Sequence, residues 1–272
     1  GERPSFLITE AMRGFGGLLR LQNGKEFMQK YHPMGSLAPR DVVARSIDHE
    51  LKISGEEFVY LDITHKDPKE VMSHFPNIYK KCLSIGIDLT KDMIPVVPAA
   101  HYCCGGIKVN LNGESSIRRL YALGEASSTG LHGGNRLASN SMMEAAVYAD
   151  AAARHAISVI DSIELQRDIP AWDYEGTAVP EEMALITQDY KEMQQIMTNY
   201  VGIVRSDVRL ERAKRRLEII FKETEELYLK STLSQHLCEL RNMIAVGYLI
   251  IKQAEARHES VGLHYSIDYP AK

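Results

Sequence analysis

No long run of lysine and arginine occurs in this sequence, and its formal net charge is −4. A global attraction to nucleic acid or to an anionic membrane is thereby excluded. Long apolar runs are missing too: no window approaches the ~18 residues of a membrane span, and no signal-peptide pattern is visible. Cysteine is scarce. Cys82, Cys103, Cys104 and Cys238 are the four, and their spacing fits neither a disulfide framework nor a zinc site. Free thiols in a reducing cytosol are expected, and a cytoplasmic location with them. Neither GxGxxG nor the P-loop pattern is present, so two common phosphate-binding turns are absent from this stretch of chain. The first residues are Gly1-Glu2-Arg3-Pro4 rather than methionine, which suggests a piece of a longer protein.

What is present has the balance of a globular protein. The 272 residues allow one large domain or two ordinary ones, and 44% apolar against 25% charged residues permits a sizeable core. Residues 1–100 read as mixed helix and strand. Phe6-Leu7-Ile8 is an expected short strand. Asn23-Gly24 is a hairpin signal between residues 18–21 and Phe27-Met28. Residues 41–51 read as a helix with Val42, Val43, Ser46, Ile47 and Leu51 towards one side, 58–63 as a strand, and 76–85 as a helix stopping near Gly86. In the glycine-rich residues 101–160, short strands are expected at 107–110 and 120–122 around an Asn112-Gly113 turn, then a helix from about Asn140 to Ile160. A polar linker, 161–180, carries Pro170, Gly176 and Pro180.

Three helical stripes follow. Met183, Ile186, Tyr190, Met193, Met197 and Tyr200 recur at steps of three and four. Leu210, Ala213, Leu217, Ile220, Thr224 and Leu227 do so as well, as do Leu233, Leu237, Leu240, Ile244, Gly247, Ile251 and Ala254. Three such faces can bury one another as a bundle. Residues 262–270 are expected to fold back as an extended segment.

The chemistry concentrates in GEASSTGLHGGNRLASNSM, residues 124–142. It follows a strand and opens a helix. Its four glycines allow positive φ and close approach of backbone to a ligand, and the helix start offers free N–H groups and a positive dipole end. Arg136 presents a planar fork suited to a carboxylate. On these residues alone, a cradle for a large polar ligand beside an anion and an ordinary long loop both stay open.

Longer motifs carry a resemblance. GLHGGNRLASNSMMEAAVYA, VPAAHYCCGGIKV (97–109), SLAPRDVVARSI (36–47), FLITEAMRG (6–14), NYVGIVR (199–205) and HYSIDYP (264–270) resemble, in order, segments of the L-aspartate-oxidising branch of the succinate dehydrogenase/fumarate reductase flavoprotein family. The resemblance covers nearly the whole chain. It implies an α+β fold class: a capping domain or substrate lid (1–100), the remnant of an FAD-binding α/β domain (101–160), the linker, and a C-terminal three-helix bundle with its extended tail (181–272). It assigns Thr9, Glu10, His101 and Arg136 to substrate binding and Arg40 to catalysis. Gly105, Gly106, Glu125, Asn135, Ser141 and Met142 are assigned to FAD, Glu125 at its sugar hydroxyls and the rest at the ring. Ser141-Met142 at a helix start would put partial positive charge at the pyrimidine edge. Phe15 and Val261 depart from the family pattern, which usually has Glu and Arg there.

The implied reaction is oxidation of L-aspartate to iminoaspartate with O2 or fumarate as acceptor, the first step towards quinolinate and NAD, with quinolinate synthase next. FAD is expected in the full-length protein. The family's GxGxxG turn lies outside this sequence, so the chain alone is expected to hold no FAD, to be inactive, and to cover its exposed sheet edge and apolar face by loops, by the helical bundle or by self-association with a second copy. Two alternatives remain at this point: a succinate dehydrogenase or fumarate reductase flavoprotein subunit, and a non-enzymatic helical interaction module that would bind nothing at 101–142.

Overall fold

In the computed structural model, residues 6–179 and 183–270 are described. The outermost parts of the expected divisions, 1–5 and 271–272, and residues 180–182 with Pro180 lie outside them. The chain divides into two compact units, Gly1–Ala99 and Ala100–Lys272.

In the first unit, α1 (Ala11–Gly14) is a single turn that leads into β1 (Leu18–Arg20). Asn23-Gly24 does turn the chain: Gly24 takes φ +80°, and its N–H donates to the Leu21 carbonyl at 2.9 Å. The return arm is only one bridge, Arg20 to Glu26, before a 3-10 turn at Met28–Lys30. The expected hairpin partner is replaced by β2 (Val59–Asp62), which lies beyond α2 (Arg40–Ser54) and pairs antiparallel with β1. Helix α2 buries Val43, Ser46, Ile47 and Glu50 and ends on Gly55 in the left-handed region. Asp67 caps α3 (Pro68–His74) by accepting from the N–H groups of Lys69 and Glu70. Helix α4 (Pro76–Ser84) and β3 (Ile94–Val96) complete the unit, with strand order β1-β2-β3. Met12, Leu19, Met28, Val59, Leu61, Ile63, Val71 and Leu89 form the core. Phe6-Leu7-Ile8, expected as a strand, is not one. Among the described residues no neighbour takes its backbone bonds, and Phe6 and Leu7 are exposed.

The second unit begins with a small sheet in which β4 (Ile107–Lys108) runs parallel to β5 (Ser127–Ser128). The strand expected at 120–122 reduces to one bridge, Glu114 to Tyr121. The Asn110 side chain diverts the backbone there: its Oδ1 accepts from the N–H groups of Asn112 and Glu114, a turn that competes with a ladder. Helix α5 (Asn140–Ile160) follows, with Glu144 and Ala152 buried and Met142, Met143, Val147, Ile157 and Ile160 exposed.

Beyond the coil come α6 (Met183–Ile196), extended by a π-helical turn at Met197–Val201, α7 (Asp207–Lys230) and α8 (Gln235–Glu255). Ser206 and Ser234 cap the last two through their hydroxyls. The three helices share one core, in which Ile186, Met193, Leu210, Leu217, Leu237, Leu240, Ile244 and Ile251 are buried. The tail folds back as expected, bridging Ser266 to Arg205, and Leu263 N–H donates to the Gly134 carbonyl at 2.8 Å.

Candidate functional site

Three of the assigned residues lie in the first unit. Thr9 is half-buried, and its Oγ1 accepts from Ala11 N–H at 3.3 Å. Glu10 precedes α1, is exposed, and accepts from Arg13 Nη2 at 2.9 Å. Arg13 has only 11% of its side chain exposed, and its Nη1 donates to the carbonyls of Ser36 (2.7 Å) and Ala38 (3.0 Å). A buried guanidinium needs such acceptors. Its bonds tie the 9–10 segment to the one that runs into Arg40, the exposed first residue of α2. Sequence reasoning did not single out Arg13. The signal was a cation inside the apolar FLITEAMRG string.

The other eight assigned residues lie in the second unit. Gly106 takes φ +144°, and a Cβ there would stand 2.3 Å from the Ala126 carbonyl oxygen. Only glycine lets β4 lie this close to the segment entering β5. Gly105 precedes it, and Glu125 Oε1 accepts from Cys103 N–H at 2.9 Å, so Gly105, Gly106 and Glu125 are gathered at one place. His101 is exposed beside them in sequence. Arg136 and Ser141 are brought together by a 2.6 Å bond from Arg136 Nε to Ser141 Oγ. The Arg136 guanidinium lies 3.8 Å from the centroid of the Tyr102 ring. Asn135 and Met142 are exposed, and among the described residues no hydrogen bond holds either side chain.

Three residues that sequence reasoning missed stand behind Arg136. Glu144 is buried, accepts from the Thr129 hydroxyl, and faces His132 Nε2 at 2.6 Å. The His132 ring meets Tyr102 edge-on, at 5.5 Å and 82°. Glu144 had a signal: it is an acid within the otherwise apolar start of α5.

The glycine stretch fits a large ligand with a negative group. Gly130 (φ +88°) and Gly133 (φ +54°) have open space where a Cβ would stand. Ser139, at the N-terminus of α5, makes no side-chain cap, and the first turn holds no acid, so negative charge is welcome there. Among the described residues no group of His, Cys, Asp and Glu could hold a metal ion. Nor is any helix among them long and apolar enough to cross a membrane.

Comparison with known proteins agrees with this geometry. Residues 1–142 match the FAD binding domain family, and residues 190–272 match the fumarate reductase flavoprotein C-terminal family. The L-aspartate oxidase of Pseudomonas aeruginosa is 48% identical over 269 residues, covering 99% of this chain and 50% of its own length. That of Acinetobacter baylyi is 49% identical over 266 residues, covering 98% and 49% respectively. Among solved structures, the one described as quinol-fumarate reductase with menaquinol molecules superposes with a TM-score of 0.80 at 28% identity, over 98% of this chain and 52% of that one. The chain thus spans about half the length of the curated relatives it matches. With the one match running through the glycine-rich site and the other through the last helices, the chain belongs to the FAD binding domain family and, more narrowly, to the succinate dehydrogenase/fumarate reductase flavoproteins.

Proposed function

We propose that the full-length protein oxidises L-aspartate to iminoaspartate, with O2 or fumarate as final acceptor. Similarity to L-aspartate oxidases over nearly the whole chain supports this reading. The observation that carries it is Arg136, stacked on Tyr102 with its Nε engaged by Ser141. A guanidinium held in this way keeps its two Nη groups clear of hydrogen bonds among the described residues, in the fork geometry that fits a carboxylate.

FAD, when bound, supplies the two-electron acceptor. This chain supplies binding and orientation. Arg136 and His101 take one substrate carboxylate and Thr9 donates to the other, while Glu10, steadied by Arg13, receives the ammonium. Arg40 stabilises negative charge during fumarate reduction, since a guanidinium holds its protons too tightly to be a good donor. Glu125 accepts from sugar hydroxyls of FAD. Gly105, Gly106, Asn135, Ser141 and Met142 line its ring.

In this reading residues 1–100 are a substrate lid, 101–160 complete the FAD-binding domain, 161–180 are a linker, and 181–272 form a three-helix bundle with its tail. The core shared by α6, α7 and α8 supports the bundle. A cytoplasmic location, quinolinate synthase as consumer of the product, and pairing of two chains through the exposed apolar residues of α5 belong to the same reading. A succinate dehydrogenase or fumarate reductase flavoprotein subunit is the second reading, favoured by the TM-score of 0.80.

Arg136→Leu in the full-length protein tests the first reading. The variant should lose about 2–4 kcal/mol of transition-state binding, read from kcat/KM for aspartate. FAD per chain should stay constant. Aspartate turnover within a factor of about three of the parent would remove Arg136 from the substrate site. Turnover of succinate but not aspartate by the parent would favour the second reading.

A further inference from the structure

Glu144 has 1% of its side chain exposed, and among the described residues no lysine or arginine pairs with it. A carboxylate this deep needs hydrogen-bond donors. It has two: the Thr129 hydroxyl on Oε1, and His132 Nε2–H on Oε2 at 2.6 Å. The Thr129 oxygen in turn accepts from Leu131 N–H at 3.2 Å, which aims its proton at Glu144. The first bond fixes the carboxylate and the second fixes the His132 ring from behind. That ring, 8% exposed, presses edge-on against Tyr102, and Tyr102 carries the Arg136 guanidinium on its face at 3.8 Å. His132 Nδ1 is buried without a hydrogen-bond partner among the described residues. The ring orientation therefore rests on the Glu144 bond and on packing alone.

The other end of this chain of contacts is unusually free. Only Arg136 Nε is used by the protein, in its bond to Ser141, so both Nη groups remain for a ligand among the described residues. A side chain as flexible as arginine holds such a pose only if its support is itself fixed.

We propose that Glu144, acting through His132 and Tyr102, is a positioning residue that holds the Arg136 fork ready for a dicarboxylate. The proposal rests on the reading of Arg136 as a carboxylate clamp given above. Glu144 touches neither substrate nor cofactor in it. Its effect passes through two rings.

The test uses the full-length protein loaded with FAD and succinate as a probe, with the dissociation constant read from the perturbed flavin spectrum. Glu144→Ala should weaken succinate binding about tenfold, with FAD per chain unchanged. Glu144→Gln, which still offers one oxygen to His132, should restore affinity to within about threefold. In an Arg136→Leu background, Glu144→Ala should add nothing, because its route is already cut. A purely structural acid would instead lower FAD content and melting temperature, and its effect would add in full to Arg136→Leu. Either that additivity or unchanged succinate affinity in Glu144→Ala overturns the proposal. Should Glu144→Ala fail to fold, Tyr102→Leu cuts the same route one step later and should show the same tenfold loss and the same non-additivity. Parent-like succinate binding in Tyr102→Leu is equally fatal. If the parent binds no succinate, the clamp reading itself falls and takes the proposal with it. If the parent binds and the variants match it, only the proposal falls.

Discussion

A half-buried arginine without an ion pair among the described residues needs other acceptors, and Arg205 takes the Val201 carbonyl and a histidine ring. Its Nη1 donates to His264 Nδ1 at 2.6 Å, so the His264 proton sits on Nε2, which donates to the Arg257 carbonyl at 3.2 Å. The pair fastens the returning tail, in register with the bridge between Arg205 and Ser266. Burial lowers the His264 pKa, and the charges of Arg205 and Arg257 lower it further against the opposing Arg257 carbonyl and Glu259. The folded form therefore binds fewer protons than the unfolded chain below the ordinary histidine value of about 6.5. Stability should fall as pH drops below about 6.5 towards the lowered pKa of the folded form, and the contact contributes in full above that window. Thermal melts at several pH values check this. His264→Gln keeps an acceptor for Arg205 without a titrating ring, and should flatten the slope over that window. Equal slopes in the two proteins would mean that His264 does not titrate with folding. One departure from the family pattern also resolves at this scale. Phe15, where the family usually has Glu, packs edge-on to Phe75 at 5.5 Å and stands under Lys66 Nζ at 5.6 Å, so ring contacts occupy the place of an ion pair.

Elements were legible where a period repeats often enough to be counted. Helix α5 spans Asn140–Ile160, where its sequence placed it, and the later helices bury the residues of their stripes. Met183, the first residue of α6, and Leu233, one residue ahead of the Ser234 cap, are exposed exceptions, and Tyr190, Met197, Tyr200 and Leu227 are half-buried. Elements of two or three residues left no period to read. Strand β3 contains Pro95 opposite Tyr60, which is tolerable on an edge strand but argues against a strand by composition. Strand β5 is Ser127-Ser128, polar and too short to alternate. The buried acid Glu50 was hidden because its partners lie outside its own helix: it is held by Lys30 and Tyr31. The β4–β5 pair depends on a single glycine. Gly106→Ala combines a strained φ of +144° with a Cβ 2.3 Å from the Ala126 oxygen, so the strands must part. A cost of about 1–3 kcal/mol is expected, seen as a lower melting temperature, together with loss of flavin from the full-length protein. Gly14→Ala, with open space at its Cβ, is the control and should be neutral. A Gly106→Ala protein with parent stability and flavin content would show that the close approach is dispensable.

At the scale of the whole molecule, family match and physical unit do not coincide. The FAD-binding match runs over residues 1–142, across the division after Ala99, because a family records common descent and a unit records where contacts are dense. Each unit has its own apolar cluster, one in Gly1–Ala99 and one among α6, α7 and α8. The coil between α5 and α6 belongs to neither cluster. Leu165, Ile169, Trp172 and Tyr174 are all exposed there, and among the described residues the far end is fastened near residue 178, where Ala178 pairs with Ser231 and accepts from Thr232 N–H at 2.9 Å. Trp172 is the only tryptophan in the sequence and is 64% exposed. Its fluorescence should therefore report the coil and not the cores. In the native chain its emission should already resemble that of a solvated indole and be readily quenched by acrylamide. On heating, far-UV circular dichroism should fall cooperatively as the helices melt, while the emission maximum barely moves. A red shift of the emission with the same midpoint as the helical signal would mean that Trp172 is covered in the native state. Repeating the measurement over a range of chain concentrations separates the causes. Cover supplied by a second copy weakens on dilution, whereas cover from within the chain does not.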